Sequence, residues 1–463
     1  MSRAGTIARR TFLIGSAAIA GGVAFGAYMV NRPIPNPLLD DLSEGEAAIT
    51  PYVKIDASGI TLITPRAEMG QGAVALQANL IAEELDIDPA SATLSPGMPG
   101  RAYYNAATLE EGAAPGYDDS TSTQITRYMF GKVAKLIGLQ ITGGSSTTPD
   151  SFTKLRTAGA VARETLKEAA AQRTGVNRSQ LKTKDGHVIL PNGNEIAYTT
   201  LAAEAAQIDP VEDVTLRDPS TWRFLGKPDM KRLDMVAKST GTEIYGIDYK
   251  VDGMVFASVC ANPAIGGDII SFDATTAKAM LGVQKIVPVS GGVGVIASNT
   301  WYAIQAANAI ECVWGPGAYP ESSDKMWEVL ETAIDNEDFF NDRMRDDGDA
   351  AVALETDDII EAEYRVPYLA HAPMEPLNAI VLVTDTKCEI WSGVQAPLWT
   401  RDKAAALTGL DPENVHVYVQ QMGGSFGHRV EIKNVEQAVE IAMAVKGTPV
   451  KMTWSREEDM TQE

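Results

Sequence analysis

The chain has 463 residues, of which 45% are hydrophobic and 22% charged, so it can form about three globular domains with buried cores. It contains 39 basic and 61 acidic residues, for a formal net charge of −22 at pH 7. An acidic surface repels phosphate backbones, which argues against a nucleic-acid-binding protein. We interpret the charge as a solvated acidic shell that also suits docking to a basic partner.

The three cysteines, Cys260, Cys312 and Cys388, are far apart in sequence and form no C-x-x-C motif. The chain alone is therefore not expected to hold an iron–sulfur cluster or a structural zinc. An odd, sparse count is not typical of a disulfide framework, and we interpret the cysteines as buried small apolar side chains.

The N-terminus has the pattern of an export signal. The first 32 residues contain four arginines and no acidic residue, and an apolar stretch from Phe12 to Val30 follows the pair Arg9-Arg10. This pattern predicts export by the twin-arginine route and a periplasmic protein. An uncleaved membrane anchor is the alternative. Residues 31–37, rich in proline, are predicted to be an extended linker.

The body begins with a predicted hairpin and helix. Apolar residues alternate over 52–64 on either side of Ala57-Ser58-Gly59, which predicts a β-hairpin. Residues 73–85 carry apolar side chains at helical spacing and are predicted to be a helix.

A loop, a longer helix and a region of short elements follow. Residues 95–123 are rich in Gly, Pro, Ser, Thr and Asp, which predicts a loop. A long helix is predicted over 151–171, with Asp150 and Ser151 as candidate N-caps. Residues 172–220 are predicted to form turns and short strands.

Further along the chain, strands and helices mix without regular β-α alternation, which predicts an α+β fold. Helices are predicted at 300–309 and 432–446, and the acidic residues 321–358 are interpreted as a helical connector. The predicted strands are 254–259, 269–272, 284–289, 293–297, 360–365, 379–384, 388–394 and 415–420.

Three glycine-rich loops are the candidates for chemistry: the first loop, Glu68–Gly72, the second loop, Gly143–Thr148, and the third loop, Met422–Arg429. Glycine lets the backbone approach a ligand closely, and a helix that follows offers N–H groups to anionic oxygens. Gln71 can both donate and accept hydrogen bonds, which suits the polar edge of a heterocyclic ligand. None of the loops matches the P-loop or the dinucleotide fingerprint, and each is also compatible with a plain structural turn.

The sequence resembles the molybdopterin-binding subunit of the xanthine dehydrogenase/aldehyde oxidase family, in its isoquinoline 1-oxidoreductase β-subunit branch. The resemblance covers about residues 50–460. It rests on the third loop and on P-R-A-E-M-G-Q-G (65–72), A-E-E-L-D-I-D (82–88), G-G-S-S-T-T-P-D-S-F-T-K-L-R-T-A-G-A-V-A-R-E (143–164), G-K-P-D-M-K-R-L-D-M-V-A-K-S-T-G-T-E-I-Y-G-I-D (226–248), Y-L-A-H-A-P-M-E-P-L-N-A (368–379) and W-S-R-E-E-D (454–459).

The resemblance implies a domain order after the N-terminal signal and linker (1–37). Residues 45–220 would be a permuted part of the second molybdopterin-binding domain. An α/β hammerhead domain (221–320), an acidic connector (321–350) and an incomplete first molybdopterin-binding domain (351–463) would follow.

The resemblance also implies the cofactor, molybdopterin cytosine dinucleotide with molybdenum, and the residues around it. No side chain is expected to be a metal ligand. His371 and Glu375 would line the substrate pocket. The residues expected to bind the cofactor are Gly70, Gln71, Gly72, Gly144, Ser145, Ser146, Thr147, Gly424, Ser425, Phe426, Gly427 and His428.

The implied reaction is oxidation of an aldehyde or an N-heterocycle with oxygen from water. Electrons would leave through a separate subunit with two [2Fe–2S] clusters and then a cytochrome c. The family's catalytic glutamate lies in a G-E-P-like segment that this sequence does not contain. We therefore expect that base to lie beyond Glu463, in a longer chain or a separate subunit.

Two other functions remain open. A non-catalytic or truncated pseudo-subunit could act only as a binding scaffold. An exported hydrolase or sugar-binding protein would use the glycine-rich loops only as turns, but no G-x-S-x-G motif supports it.

Overall fold

The computed structural model describes residues 32–40, 42–113, 118–230, 232–336, 348–356 and 358–462. The Arg9-Arg10 pair and the apolar stretch that predict an export signal lie outside these residues. Within them, no helix is both long and apolar enough to cross a bilayer.

Strands and helices are interspersed along the described residues, which confirms the predicted α+β fold. The strands are β1 (Ala47–Thr50), β2 (Val53–Asp56), β3 (Gly59–Ile63), β4 (Thr93–Ser95), β5 (Lys182–Lys184), β6 (His187–Ile189), β7 (Glu195–Ala197), β8 (Val255–Ala261), β9 (Ile269–Asp273), β10 (Val283–Val289), β11 (Gly292–Ala297), β12 (Glu311–Trp314), β13 (Asn378–Val383), β14 (Cys388–Ser392), β15 (Val415–Val419) and β16 (Val450–Thr453). The helices are α1 (Ala73–Leu85), α2 (Ala107–Ala113), α3 (Thr121–Ile137), α4 (Thr147–Thr174), α5 (Ala202–Ala205), α6 (Met235–Thr240), α7 (Thr275–Lys278), α8 (Thr300–Ala307), α9 (Ser323–Asp335), α10 (Ala350–Ala353), α11 (Pro397–Thr408), α12 (Lys433–Met443) and α13 (Arg456–Thr461).

The chain forms two compact units. Unit 1 comprises the residues up to Asp248 with Thr386–Gly423 and Arg429–Ile432. Unit 2 comprises Tyr249–Asp385, Gly424–His428 and Lys433–Glu463. The domain bounds implied by the resemblance stay predictions.

Unit 1 is built on helices α1 and α4 and a four-stranded sheet with the order β1-β2-β3-β4. The predicted hairpin is confirmed, since β2 and β3 pair antiparallel. Its turn is fixed by Asp56, whose carboxylate accepts the N–H groups of Ser58 at 2.6 Å and Gly59 at 3.1 Å. Apolar side chains of the sheet and both helices share one core, which includes Ile55, Leu62, Leu80, Leu155 and Leu166.

The acidic motif of α1 ties this helix to its surroundings in unit 1. Glu84 is fully buried and pairs with Arg156 at 2.8 Å and Arg163 at 3.3 Å. It also accepts the backbone N–H of Arg217 at 3.1 Å. Glu83 accepts the N–H groups of residues 223–225 at 2.7–3.2 Å. The A-E-E-L-D segment is therefore a structural anchor for residues 217–225.

Helices α1 and α4 pack so closely that only glycine fits at position 159. A Cβ on Gly159 would lie 2.3 Å from the carbonyl oxygen of Ile81 in α1. We expect Gly159→Ala to lower the free energy of unfolding by about 1–3 kcal/mol, because the helices must move apart. Gly112→Ala in α2 is the control, since a Cβ there meets nothing within 4 Å. Urea denaturation measures both, and an unchanged stability for Gly159→Ala would show that the helices yield without cost.

Unit 2 contains strands in the order β10-β11-β8-β16-β13 and a separate antiparallel pair, β9 and β12. Helix α8 packs on β8 and β11, and α12 packs on β13 and β16. Asn299 begins α8 as its N-cap, accepting the N–H of Tyr302 at 2.8 Å.

Three sequence predictions were wrong in detail. Residues 95–123 are not all loop, since α2 and the start of α3 lie there. Residues 360–365 form no strand, and Ile360 (99% exposed) and Tyr364 (87% exposed) have no neighbouring strand in the described chain. Helix α4 begins at Thr147 after Ser146, so Asp150 and Ser151 are inside it and are not N-caps. The sequence analysis also gave no prediction for α11.

Candidate functional site

The first loop is organised around the carboxylate of Glu68, which is buried at the start of α1. Its oxygens accept the backbone N–H groups of Gly70 at 3.0 Å, Gly72 at 3.1 Å and Val74 at 3.1 Å. The expectation that the start of this helix offers free N–H groups to a ligand is therefore wrong for these three. The protein supplies its own anion at the positive end of the helix dipole.

Two cations from the 226–248 motif neutralise Glu68, and sequence reasoning missed both. Arg232 lies 3.3 Å and Lys238 3.4 Å from its carboxylate, and Arg232 also donates to the Gly70 carbonyl at 2.9 Å. Asp234 forms ion pairs with both Arg232 and Lys238. The hydrogen bond from Arg232 is the main cause that lowers the pKa of Asp234 to about 2, and burial acts in the opposite direction. The one signal was the charge pattern K-R-L-D-M-V-A-K, which spaces Asp234 and Lys238 one helical turn apart.

Gln71 is exposed, but its side chain folds back onto its own loop. The amide oxygen accepts the N–H of Met69 at 2.8 Å and the amide nitrogen donates to the Ala67 carbonyl at 2.9 Å. Both ends of the amide thus stabilise the loop. The predicted pterin contact would use its remaining hydrogen-bonding capacity.

The second loop presents backbone at the surface and hides one of its side chains. Gly144 and Ser145 are exposed with positive φ angles of 60° and 56°. Ser146 is fully buried, accepts from Asn105 Nδ2 at 2.7 Å and donates to the Gly143 carbonyl at 2.6 Å. The hydroxyl of Ser146 therefore shapes the loop.

Thr142 links the first and second loops within unit 1. Its hydroxyl accepts the N–H of Ala67 at 2.9 Å, and its backbone exchanges hydrogen bonds with Gln395 at 2.9 and 2.6 Å. Gln395 also donates its N–H to the Arg429 carbonyl at 2.9 Å, and Met422 donates its N–H to the Glu68 carbonyl at 3.3 Å. These bonds bring together the first loop, the second loop and both ends of the third.

The first and second loops leave room for a ligand beside their exposed backbone. A Cβ added at Gly70 or Gly144 would meet nothing within 4 Å. Both residues have positive φ angles, at which glycine is favoured over any other residue. The predicted positions Gly72 and Thr147 are half-buried at the starts of α1 and α4. The arrangement fits a large ligand held through main-chain groups.

Asp150 positions the residues behind the second loop. It is buried, pairs with Arg66 at 2.6 Å and Lys154 at 2.7 Å, and accepts the N–H of Ala106 at 2.9 Å. Arg66 in turn donates to the carbonyl of Tyr103 at 2.8 Å. Burial raises the pKa of Asp150, but Lys154 and Arg66 outweigh it and leave that pKa below its ordinary value.

We expect Asp150→Asn to lower stability by about 1–3 kcal/mol at neutral pH, because it removes the charge from two short ion pairs. A carboxylate with a depressed folded-state pKa stabilises the fold above its unfolded pKa of about 3.9 and loses that contribution as pH falls further. The difference between wild type and Asp150→Asn should therefore be constant from about pH 5 to 7 and shrink below about pH 4. Denaturation at several pH values measures it, and a difference that grows in acid would contradict this role.

The middle of the third loop belongs to unit 2 and is conformationally strained. Gly424 and Gly427 have φ angles of 100° and 115°, and Phe426 has a φ angle of 57°, rare for a bulky residue. The side chain of Phe426 is 74% exposed, whereas Ser425 and His428 are buried. Strain of this kind is concentrated at functional sites.

Two histidines predicted separately lie together in unit 2. The rings of His371 and His428 stack with centroids 5.4 Å apart, and Trp454 lies 6.4 Å from His428. A Cβ on Gly427 would lie 3.5 Å from Nε2 of His371. The structure thus joins the 368–379 and 454–459 motifs to the middle of the third loop.

The C-terminal motif fixes the segment that carries His371. Arg456 donates to the carbonyls of Pro373 at 2.6 Å and Met374 at 3.1 Å and pairs with the buried Asp459 at 2.7 Å.

Glu375 is also buried and accepts from Asn378 at 2.9 Å. Of the two predicted pocket residues, His371 lines an apolar cleft of about 560 Å³ in unit 2, whereas Glu375 supports the turn before β13.

The C-terminal part of the chain matches a known protein family, and nearly the whole chain is similar to a known subunit. Residues 334–463 match the family described as "Molybdopterin cofactor-binding domain". The chain is 29% identical to the β-subunit of isoquinoline 1-oxidoreductase from Brevundimonas diminuta, over 98% of this chain and 60% of that protein. Residues 334–463 are therefore similar to molybdopterin cofactor-binding domains, and the likeness to the isoquinoline 1-oxidoreductase β-subunit extends over nearly the whole chain.

Two further proteins with other names are similar to this chain. The chain is 27% identical to the membrane-bound aldehyde dehydrogenase [pyrroloquinoline-quinone] of Gluconacetobacter polyoxogenes, over 98% of this chain and 56% of that protein. It is also 27% identical to a nicotinate dehydrogenase subunit from Pseudomonas putida, over 68% of this chain and 27% of that protein. The chain thus spans 60% or less of each of these relatives.

Proposed function

We propose that the chain is the molybdopterin-binding part of a molybdenum hydroxylase that oxidises an aldehyde or an N-heterocycle. The bound cofactor would supply the oxygen-transfer and two-electron chemistry, while the protein holds and orients it. The relatives named for isoquinoline and nicotinate oxidation and for aldehyde dehydrogenation support this reaction class.

The observation that carries the proposal is the hydrogen-bonded junction of the glycine-rich loops. Thr142 joins Ala67 to Gln395, and Met422 is bonded to Glu68, so segments far apart in sequence share one framework. Gly70 and Gly144 leave open space beside that framework. A scaffold that used these loops only as turns would not require them to meet.

Within this proposal, the chain's residues have distinct tasks. The exposed backbone of Gly144 and Ser145 would contact the dinucleotide, which we propose to be the cytosine form, while Ser146 shapes the loop. Gly70 and Gln71 would contact the pterin, and the strained backbone at Phe426 and Gly427 would face the metal end. Glu68 would not contact the cofactor directly, because its oxygens are occupied by three backbone N–H groups and two cations.

The cleft beside His371 suits an apolar or aromatic substrate. Its walls combine aromatic, branched and thioether side chains with one imidazole, and burial of an apolar ring against them would be favourable. The lining residues are Tyr319, Pro320, Met326, Val329, Leu330, Tyr368, Leu369, Ala370, His371 and Met460.

We further propose export by the twin-arginine route to the periplasm and an iron–sulfur partner subunit that passes electrons to a cytochrome c. The paired Arg9-Arg10 before an apolar stretch supports the route. The absence of a C-x-x-C motif supports a separate electron acceptor. The net charge of −22 favours a partner with a basic docking surface.

The test is cofactor analysis of the complex purified from its native host. We expect one molybdenum and one pterin per chain, release of cytidine monophosphate on hydrolysis, and oxidation of benzaldehyde or isoquinoline with an artificial electron acceptor. The same sample is assayed for pyrroloquinoline quinone, after which one relative is named. An active preparation without molybdenum and pterin overturns the proposal, and an inactive one that contains both would favour the scaffold.

A further inference from the structure

Two of the three cysteines, interpreted from sequence as separate apolar side chains, lie side by side in unit 2. Cys260 of β8 and Cys312 of β12 are 52 positions apart in sequence, yet their Sγ atoms are 3.9 Å apart. Both side chains are half-buried and pack on the same apolar core, which includes Val293, Val295 and Ile310. This separation is van der Waals contact, so rotation of the two side chains with a small backbone shift can bring the sulfurs to bonding distance.

We propose that Cys260 and Cys312 form a structural disulfide that ties β12 to β8. Each thiol loses one proton and one electron as the S–S bond forms. The two electrons pass by thiol–disulfide exchange to a disulfide of an oxidising partner, which is reduced to two thiols.

A disulfide at this position would stabilise the attachment of the β9–β12 pair to β8. In the described chain, β9 and β12 form a sheet of only two strands, and such a pair is marginally stable alone. The pair is held near β8 by Asn262, whose side chain donates to the carbonyls of Asp268 at 3.3 Å and Gly315 at 3.2 Å. A disulfide would add a covalent link beside these two long hydrogen bonds.

The surroundings favour a stable bond over a rapidly reversible one. Burial, with the Cys312 sulfur and the Glu458 carboxylate as further causes, raises the pKa of the Cys260 thiol to about 12. Burial also raises the pKa of Cys312. Because the thiolate is the attacking species, exchange at this pair is slow in both directions at neutral pH.

The experiment uses the full chain, folded and incubated at mildly alkaline pH until exchange with oxidised glutathione or with dithiothreitol has reached equilibrium, then alkylated and digested without reduction. We expect a cross-linked peptide that joins Cys260 to Cys312 and one alkylated thiol, Cys388. We also expect the oxidised chain to melt about 5–10 °C higher than the reduced one.

Variants separate the disulfide from general effects of oxidation. Cys312→Ser should abolish both the cross-link and the dependence of Tm on oxidation, whereas Cys388→Ser, which changes a buried thiol of β14 in unit 1, should keep both. The comparison of oxidised with reduced wild type needs no variant to fold. Three alkylated thiols after oxidation of the folded chain, or a cross-link to Cys388, would overturn the proposal.

Discussion

Replacing Glu84 with alanine is expected to lower the free energy of unfolding by about 3–5 kcal/mol, the largest effect of any single substitution proposed for this chain. Glu84 is fully buried between Arg156 and Arg163 and also accepts the backbone N–H of Arg217. Its removal leaves the largely buried guanidinium group of Arg156 without this counter-ion, whereas Arg163 keeps Glu164 at 3.2 Å. Desolvated charge that lacks a partner is far more costly than the net gain from the pair itself.

A matched control is Glu204→Ala, which breaks the partly exposed pair with Arg173 in the same unit. Solvent screening limits such a pair to about 0–1 kcal/mol. Chemical denaturation of wild type and the two variants gives the comparison. Equal losses for Glu84→Ala and Glu204→Ala would mean that the buried network contributes nothing beyond ordinary surface charge.

Glu68→Ala is expected to cost about 3 kcal/mol, since it removes a buried carboxylate that accepts three backbone N–H groups at the start of α1. The loss should be local. Hydrogen exchange at Gly70, Gly72 and Val74 should accelerate, while exchange in β2 and β3 should stay slow. In the native complex the same variant should contain less molybdenum, because the first loop no longer holds one conformation.

Glu68→Gln separates charge from shape at this position. Its amide oxygen can still accept a hydrogen bond, so we expect a smaller loss of about 1 kcal/mol and near-normal exchange at Gly72. Arg232 and Lys238 would keep Asp234 as their counter-ion. A Glu68→Gln variant as unstable as Glu68→Ala would show that the negative charge, rather than the hydrogen bonds, holds the loop.

Sequence patterns predicted the elements whose apolar residues face a core. Helix α1 has the predicted bounds, Ala73–Leu85, because Leu80, Ile81 and Leu85 are buried at helical spacing. Helix α3 was missed although Ile125, Tyr128, Met129, Val133 and Ile137 recur at helical spacing, and the structure leaves these apolar side chains exposed instead of packing them in a core. Residues 360–365 alternate like a strand, but alternation contains no information on whether a partner strand lies beside them.

The sequence predicted the loops of the candidate site but not the contacts that support those loops. Glycine-rich motifs indicated Gly70 and Gly144 as positions where the backbone can approach a ligand, and a Cβ at either residue would meet nothing within 4 Å. The role of Thr142 depends on a partner 253 positions away, Gln395, and no local pattern reveals such a pair. The members of two other pairs are also distant in sequence, so no local pattern predicted that Cys260 lies beside Cys312 or that His371 stacks on His428.

The hydrogen bonds from residues 217–225 to Glu83 and Glu84 have a consequence for how much this part of the sequence can vary. Their carboxylates bind the main-chain N–H groups of Arg217, Arg223, Phe224 and Leu225, so this part of the anchoring is indifferent to side-chain identity. Proline, which lacks that N–H, is the residue type that this anchoring excludes, while the side chain of Leu225 is also required to be apolar because it is buried in the core of unit 1. A library randomised at Phe224 should therefore yield folded members with many residue types, whereas one randomised at Glu83 should yield very few.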